Sequence, residues 1–424
     1  MNRQNPITTR MQGSVDLTIH RAASQIGGNC VELRCGADRL ILDAGLPLDA
    51  LDTEMASIPT TLDLSGQATV LVSHPHLDHY GLLPSLPASW PVWCGPAAAS
   101  LMELSARLGR WKTPPQPQTW RHRHPFAVGP FRITPLLTDH SAFDASMLHI
   151  EVAGQRLLYT GDFRMHGRKA DLVRRLMDRP PPNIDVLVME GTTLGRSGAI
   201  PSESDVEASF SDLFNSCPGR VFVGWAGSNV DRTVSLARAC LRDGRPLVVD
   251  IYTADVLKRL VEWSPRLPQP GRKPVITVIT SRLAALYRKQ GQDTLVSNLA
   301  KTGISVRDLR QVPQAVIMVR AALLRDYQAA GLLPTAQDAW CWSQWRGYLD
   351  SPKGREVSDW FKAGGCPGHQ IHTSGHASPD DLRAFSTAMR PRCLVPIHGE
   401  HWDEPMPGFP TMRRLRDGQT MALD

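Results

Sequence analysis

The stretch Thr69-Val70-Leu71-Val72-Ser73-His74-Pro75-His76-Leu77-Asp78-His79 decides how this chain reads. Its first four residues form an apolar, largely β-branched run that predicts a short strand. Directly after it, the metal-binding side chains His74, His76, Asp78 and His79 fall within six residues. If the strand ends at Ser73, alternation sends His74 and His76 to the same side. Asp78 and His79 come one turn later, where Gly81 lets the chain leave the strand, so they can face a neighbouring ion. Imidazole and carboxylate together suit zinc, and also manganese or iron. The plain alternative is a set of surface histidines on a loop, but ligand-type residues rarely gather at one strand end by chance.

Further candidates close other apolar runs. His140 follows Phe131 to Leu137 in Thr138-Asp139-His140-Ser141, and Asp162 follows Arg156 to Tyr159 in Thr160-Gly161-Asp162-Phe163-Arg164. His398 follows Cys393 to Ile397 and opens His398-Gly399-Glu400. Taken singly, each reads as a strand-end residue bonded to backbone. Their shared placement at the same end of strands raises them together.

The series Asp43, His74-x-His76-x-Asp78-His79, His140, Asp162 and His398 resembles the metallo-β-lactamase superfamily. Asp185 to Thr193, with Glu190 at its strand end, is similar to the acidic motif of the β-CASP nucleases of that superfamily. Thr373 to Ser378 resembles their second motif, Pro396 to Glu400 their third, and Gly227 to Arg232 a phrase of their inserted domain. The likeness runs from roughly residue 13 to 402, with the motifs in order. It implies an α/β fold: the four-layered αβ/βα sandwich with an inserted parallel-sheet α/β domain. It also implies a two-metal site, with His74, His76 and His140 on one ion, Asp78, His79 and His398 on the second, and Asp162 bridging. Asp43 then orients the site without being a ligand, and Asp43, Asp78, Glu190 and His376 form the catalytic set. Two departures stand out. Gly191 occupies a position where many relatives carry Ser, and at this length no room is expected for the further C-terminal domain of the ribonuclease J type.

With 424 residues, of which 42% are hydrophobic, the chain is long enough for two domains around sizeable cores. A net charge of +6 permits a polyanionic partner without requiring one. The eight cysteines include no C-x-x-C pair, and most lie beside apolar runs, as reduced core thiols do. Residues Met1 to Gly13 lack the apolar segment of a signal peptide, and no run of eighteen apolar residues exists. The expected compartment is the cytoplasm, with no membrane partner.

β-like runs at Val15 to His20, Cys30 to Arg34 and Arg39 to Asp43 precede the opening motif. A helix at Pro96 to Gly109 follows, then strands at Phe131 to Leu137, Met147 to Val152 and Arg156 to Tyr159. After Glu190 the texture becomes strand then helix: Arg220 to Gly224, Asn229 to Leu241, Pro246 to Ile251. The domains read as 1–195, an insertion at 196–365, and a return at 366–424. The Pro-rich stretch Lys112 to Gln118 reads as a surface loop.

The resemblance implies phosphodiester hydrolysis, most directly of single-stranded RNA, by a hydroxide held on two divalent ions. Zinc is the first expectation, with manganese or iron as alternatives. His376 is the candidate general acid, oriented by Glu190, although a lone loop histidine is ordinarily structural. Ser228 and Asn229, like Ser374 and Gly375, precede helix starts and offer donors to a phosphate, a role that competes with plain helix capping. Arg164, with Arg168 and Lys169, reads as a phosphate-steering patch or as a solvated basic loop. Trp340, Trp342 and Trp345 can be read as base-stacking rings, but such alternation more often marks a buried strand. A homodimer is compatible with this reading. Three rivals stay open: a small-molecule ester, lactone or thioester hydrolase of the same superfamily, a DNA-processing nuclease, and a non-catalytic subunit.

Overall fold

The computed structural model describes residues 14–48, 57–110 and 116–423. The polar start and the 112–115 part of the expected loop lie outside them. Two sheets face each other. The first runs Gln419–Leu423, Val15–Arg21, Cys30–Cys35, Asp38–Leu42, Thr69–Leu71, Val92–Cys94, Gln118–Thr119 from edge to edge. The second runs Cys393–Pro396, Val186–Met189, Gln155–Tyr159, Ser146–Val152, Phe131–Leu137, Phe126–Val128.

Period-two alternation assigns the faces of the second sheet. Leu157, Val186, Val188 and Val395 join the core shared with the first sheet. Leu158, Leu187, Met189 and Leu394 point the other way, under helices Ala170–Asp178 and Pro379–Met389. Val186–Met189 is buried throughout, which is why it reads as an unbroken apolar run.

Residues far apart in sequence return to the same sheets. Gln419–Leu423 pairs antiparallel with Val15–Arg21, and Cys393–Pro396 pairs parallel with Val186–Met189. Between the last two strands the chain forms a third sheet, wholly parallel: Ile304–Ser305, Val275–Ile279, Leu247–Val249, Val316–Met318, Val221–Gly224, Ala339–Trp342, Gly368–Gln370. The expected α/β sandwich with an inserted parallel unit is therefore what the chain forms. Two boundaries move. Gly368–Gln370 still pairs with Ala339–Trp342, so the inserted sheet continues past residue 365. The strand expected over Pro246 to Ile251 stops at Val249, because the Asp250 side chain accepts from Thr253 N and starts a helix.

Helix Pro96–Ser105 joins the domains by being apolar on two sides. Ala98 and Met102 pack into the sandwich core, whereas Ala97, Leu101 and Leu104 pack into that of the insertion. Ala106–Arg110 then widens into a π-turn, where a continuous helix to Gly109 was expected.

Candidate two-metal centre

Parallel register places motif ends side by side. Met189 pairs with Pro396, so Glu190 and His398 emerge together, and Gly191 N donates to His398 O. Thr69–Leu71 ends beside Asp38–Leu42 in the same way, bringing Ser73 onto Asp43. The ligand atoms of His74, His76 and His140 lie within 4.8 Å of one another, and so do those of Asp78, His79, Asp162 and His398. Asp162 stands between the groups: its Oδ2 is 3.1 Å from His79 Nε2 and 3.8 Å from His74 Nε2. All seven expected ligand positions are thus brought together.

The hydrogen bonds around the rings choose which nitrogen faces inward. His79 Nδ1 meets Asp43 Oδ2 at 2.7 Å, His140 Nδ1 meets Gly375 O at 2.6 Å, and His398 Nδ1 meets Asn29 Oδ1 at 2.7 Å. His74 Nδ1 lies 3.0 Å from Ser73 Oγ, which itself donates to Asp43. With Nδ1 engaged, Nε2 of each ring is left for the centre. His76 presents the opposite atom, since its Nδ1 approaches His140 Nε2 at 3.2 Å.

This donor set fits divalent cations. His74 Nε2, His398 Nε2 and Asp162 Oδ1 are buried without a hydrogen-bond partner. Each such orphan costs about 1–3 kcal/mol unless something satisfies it. Burial, then the neighbouring histidines, hold His74, His140 and His398 well below their ordinary range. Burial also brings His76 to about 4, against the opposing charge of Asp78. Burial thus favours the neutral imidazole, the form that ligates metal. His79 behaves oppositely. Burial disfavours its charge, but Asp162, Asp43 and Asp78 outweigh burial and raise it well above the ordinary value. The carboxylates call for positive charge at this point, and a metal ion answers that demand.

Asp43 and His398 both adopt left-handed backbone, at φ +61° and +48°. Such conformations cost a few kcal/mol at non-glycine residues and persist where surrounding contacts over-determine them. Asp43 shows this over-determination: it accepts from Ser73 N, Ser73 Oγ and Tyr159 OH besides His79.

Beside the two groups, Glu190 Oε2 lies 2.9 Å from His376 Nδ1, and Glu190 Oε1 accepts from Phe163 N. Burial alone would depress His376, but Glu190 and Asp162 raise it to about 9. Its side chain is 20% exposed, against none for Glu190, so the imidazole reaches the opening while its partner does not. The Gly191 departure also finds its cause. A Cβ there would lie 2.3 Å from the Trp402 indole, and that buried ring donates to Ile397 O beside His398.

The expected substrate contacts divide. Arg164 is a correction: it is not a phosphate-steering residue at the surface. Its guanidinium is fully buried and bonded to Asp139, Asp231, Glu203 and Ser374 O, leaving none of it for a substrate. Arg168 is committed as well, to Glu207 and Ser235. Asn229 Oδ1 caps the helix Val230–Arg242 by accepting from Arg232 N. Ser374 Oγ accepts from His376 N and Gly375 O holds His140, so this turn positions two site histidines. Ser228 is partly exposed and bonds Tyr252. Asn29 and Tyr159 were not anticipated, although their seats next to Cys30–Cys35 and Thr160-Gly161-Asp162 were a signal for them.

The comparisons agree with this geometry. Residues 38–220 match the family model of the β-lactamase superfamily domain, and residues 368–402 match that of the Zn-dependent metallo-hydrolase RNA specificity domain. Ribonuclease J of Helicobacter pylori (strain B128) is 22% identical over 433 residues, covering 95% of this chain and 58% of that protein. Ribonuclease J of Mycolicibacterium smegmatis is 25% identical, covering 97% of this chain and 71% of its own. Transcription termination factor FttA of Methanothermobacter thermautotrophicus is 27% identical over 45% of this chain and 34% of its own. The chain thus spans about 58% of the length of the first of these relatives. A solved protein of unknown function from Enterococcus faecalis V583 superposes with a TM-score of 0.77 at 18% identity, over 97% of this chain and 100% of that one. That likeness concerns the fold alone.

Proposed function

We propose a phosphodiester-cleaving role for this chain, which belongs to the metallo-β-lactamase superfamily and, within it, to the β-CASP family. The reading is a two-metal nuclease acting on single-stranded RNA, with zinc as the first choice of ion. The observation that carries it is the Glu190–His376 pair set against the bridging carboxylate, with His376 Nδ1 3.7 Å from Asp162 Oδ2. Simple hydrolysis of an ester or lactone has no need of this second acid.

His74, His76 and His140 would hold one ion, Asp78, His79 and His398 the other, with Asp162 between them. Divalent ions held there supply an activated water and positive charge for a phosphate oxygen. The protein's own part is proton delivery and alignment. Glu190 fixes His376 through Nδ1 and favours its cationic form, which leaves Nε2 to protonate the departing oxygen. Asp43 holds His79, and Asn29 holds His398, so the second ion's imidazoles cannot rotate away. The inserted parallel sheet adds a second wall, which a polymer needs and a small ester does not.

The test is incubation of metal-replete protein with 5′-phosphorylated and 5′-hydroxyl single strands of RNA and DNA. Cleavage of RNA above DNA supports the reading. Cleavage of DNA alone moves it to a DNA-processing nuclease. Turnover of esters or lactones with no strand cleavage replaces it with a small-molecule hydrolase.

A further inference from the structure

Trp345 and Tyr348 are large rings that the fold leaves in solvent, 51% and 46% exposed. Trp340 and Trp342 lie in the strand Ala339–Trp342, with Trp342 buried and Trp340 stacked on Phe361. Trp345 falls beyond that strand. It pairs with Tyr348 at a centroid distance of 5.4 Å and an interplanar angle of 88°.

The pair is held still. Trp342 Nε1 and Tyr348 N both donate to Trp345 O, at 3.1 and 3.2 Å. A Cβ at Gly347 would lie 2.3 Å from the Trp345 ring, so only glycine lets the indole rest across that backbone. The loop also lies against the segment that leads into His376. It leaves the C-terminal end of a parallel strand, the end at which such sheets present ligand sites. Ser343 Oγ donates to Ile371 O and Gln370 Nε2 to Gln344 O, pinning the loop to the segment that leads into His376. Between the rings, Arg346 is exposed and makes no hydrogen bond or ion pair with the described residues.

We infer that Trp345 and Tyr348 form a stacking platform for an unpaired nucleobase beside the scissile phosphate, with Arg346 facing the adjoining phosphate. A right-angled aromatic pair presents an open ring face, which a flat base can cover, and every base has such a face. The guanidinium alongside suits the phosphodiester of a nucleic-acid strand. The inference rests on the nuclease reading and specifies how the strand is gripped.

The experiment compares Kd for an RNA oligomer with Kd for an abasic sugar-phosphate strand of equal length. Trp fluorescence quenching reads both, in wild type, Trp345→Phe, and the double variant Trp345→Ala/Tyr348→Ala. Both rings are exposed, and an unchanged Tm with unchanged metal content verifies the fold. The wild type should prefer the base-bearing strand. That preference should fall roughly 5- to 100-fold in the double variant and be largely kept by Trp345→Phe. An equal preference in wild type and double variant overturns the platform while leaving the nuclease reading intact. Equal binding of both strands by the wild type overturns it too. A wild type that neither binds nor cleaves any strand overturns the nuclease reading together with the platform.

Discussion

Arg164 Nη2 lies 2.5 Å from Asp231 Oδ2, which ties the loop after Asp162 to the first turn of an inserted-domain helix. Around this contact, Arg164 and Arg232 are enclosed by Asp139, Glu203 and Asp231. The phrase Gly227 to Arg232 thereby joins the domains, while Arg164 itself donates to Ser374 O.

Arg164→Met should therefore destabilise strongly, by about 3–5 kcal/mol, because three carboxylates lose a buried partner. Chemical denaturation measures this directly. A surface phosphate-steering arginine would leave stability unchanged and weaken only RNA binding, and that result would reject the assignment.

The same network makes an acid prediction. Burial would raise Glu203, but Arg232 and Arg164 lower it to about 2 from an ordinary 4.5. A depressed carboxylate contributes stability that is full above its unfolded value and is lost as pH falls through the folded one. The difference in stability between wild type and Glu203→Gln should thus be constant above about pH 5 and shrink between pH 4.5 and 2. A difference that does not change with pH in that window contradicts the pairing.

Gly191→Ser should cost about 1–3 kcal/mol, the usual range for overpacking, since the new Cβ meets Trp402. Trp402→Leu in the Gly191→Ser background should recover part of that loss. A stable, fully active Gly191→Ser single variant would show that the indole moves freely.

Much of this was legible because the site sits where strands end. The cluster His74 to His79, Asp162 and His398 each follow an apolar strand, so local pattern located them. Spatial partners were harder. Asn29 acts on His398 across 369 positions, and its seat beside the strand Cys30–Cys35 signals a strand end without naming the partner. Arg164 misled because a basic residue beside a metal ligand reads the same whether it faces solvent or three buried carboxylates. Trp345 stands three residues after Trp342, off the period of two that Trp340 and Trp342 keep and beyond the end of their strand.

Metal should carry much of the fold's stability here. Two ions per chain are expected, and chelation should lower Tm, since His74, His398 and Asp162 keep buried atoms without partners. Elemental analysis alongside thermal unfolding reads both. Asp78→Ala should lose the second ion, and an unchanged Tm on chelation would contradict the site.

The most direct test of the two-metal nuclease account is single-turnover cleavage of single-stranded RNA by His376→Ala, with metal content measured on the same sample. The account predicts two ions retained and a rate lower by roughly 10²- to 10⁴-fold, the range for a lost general acid. Cleavage at the wild-type rate with both ions in place would contradict it.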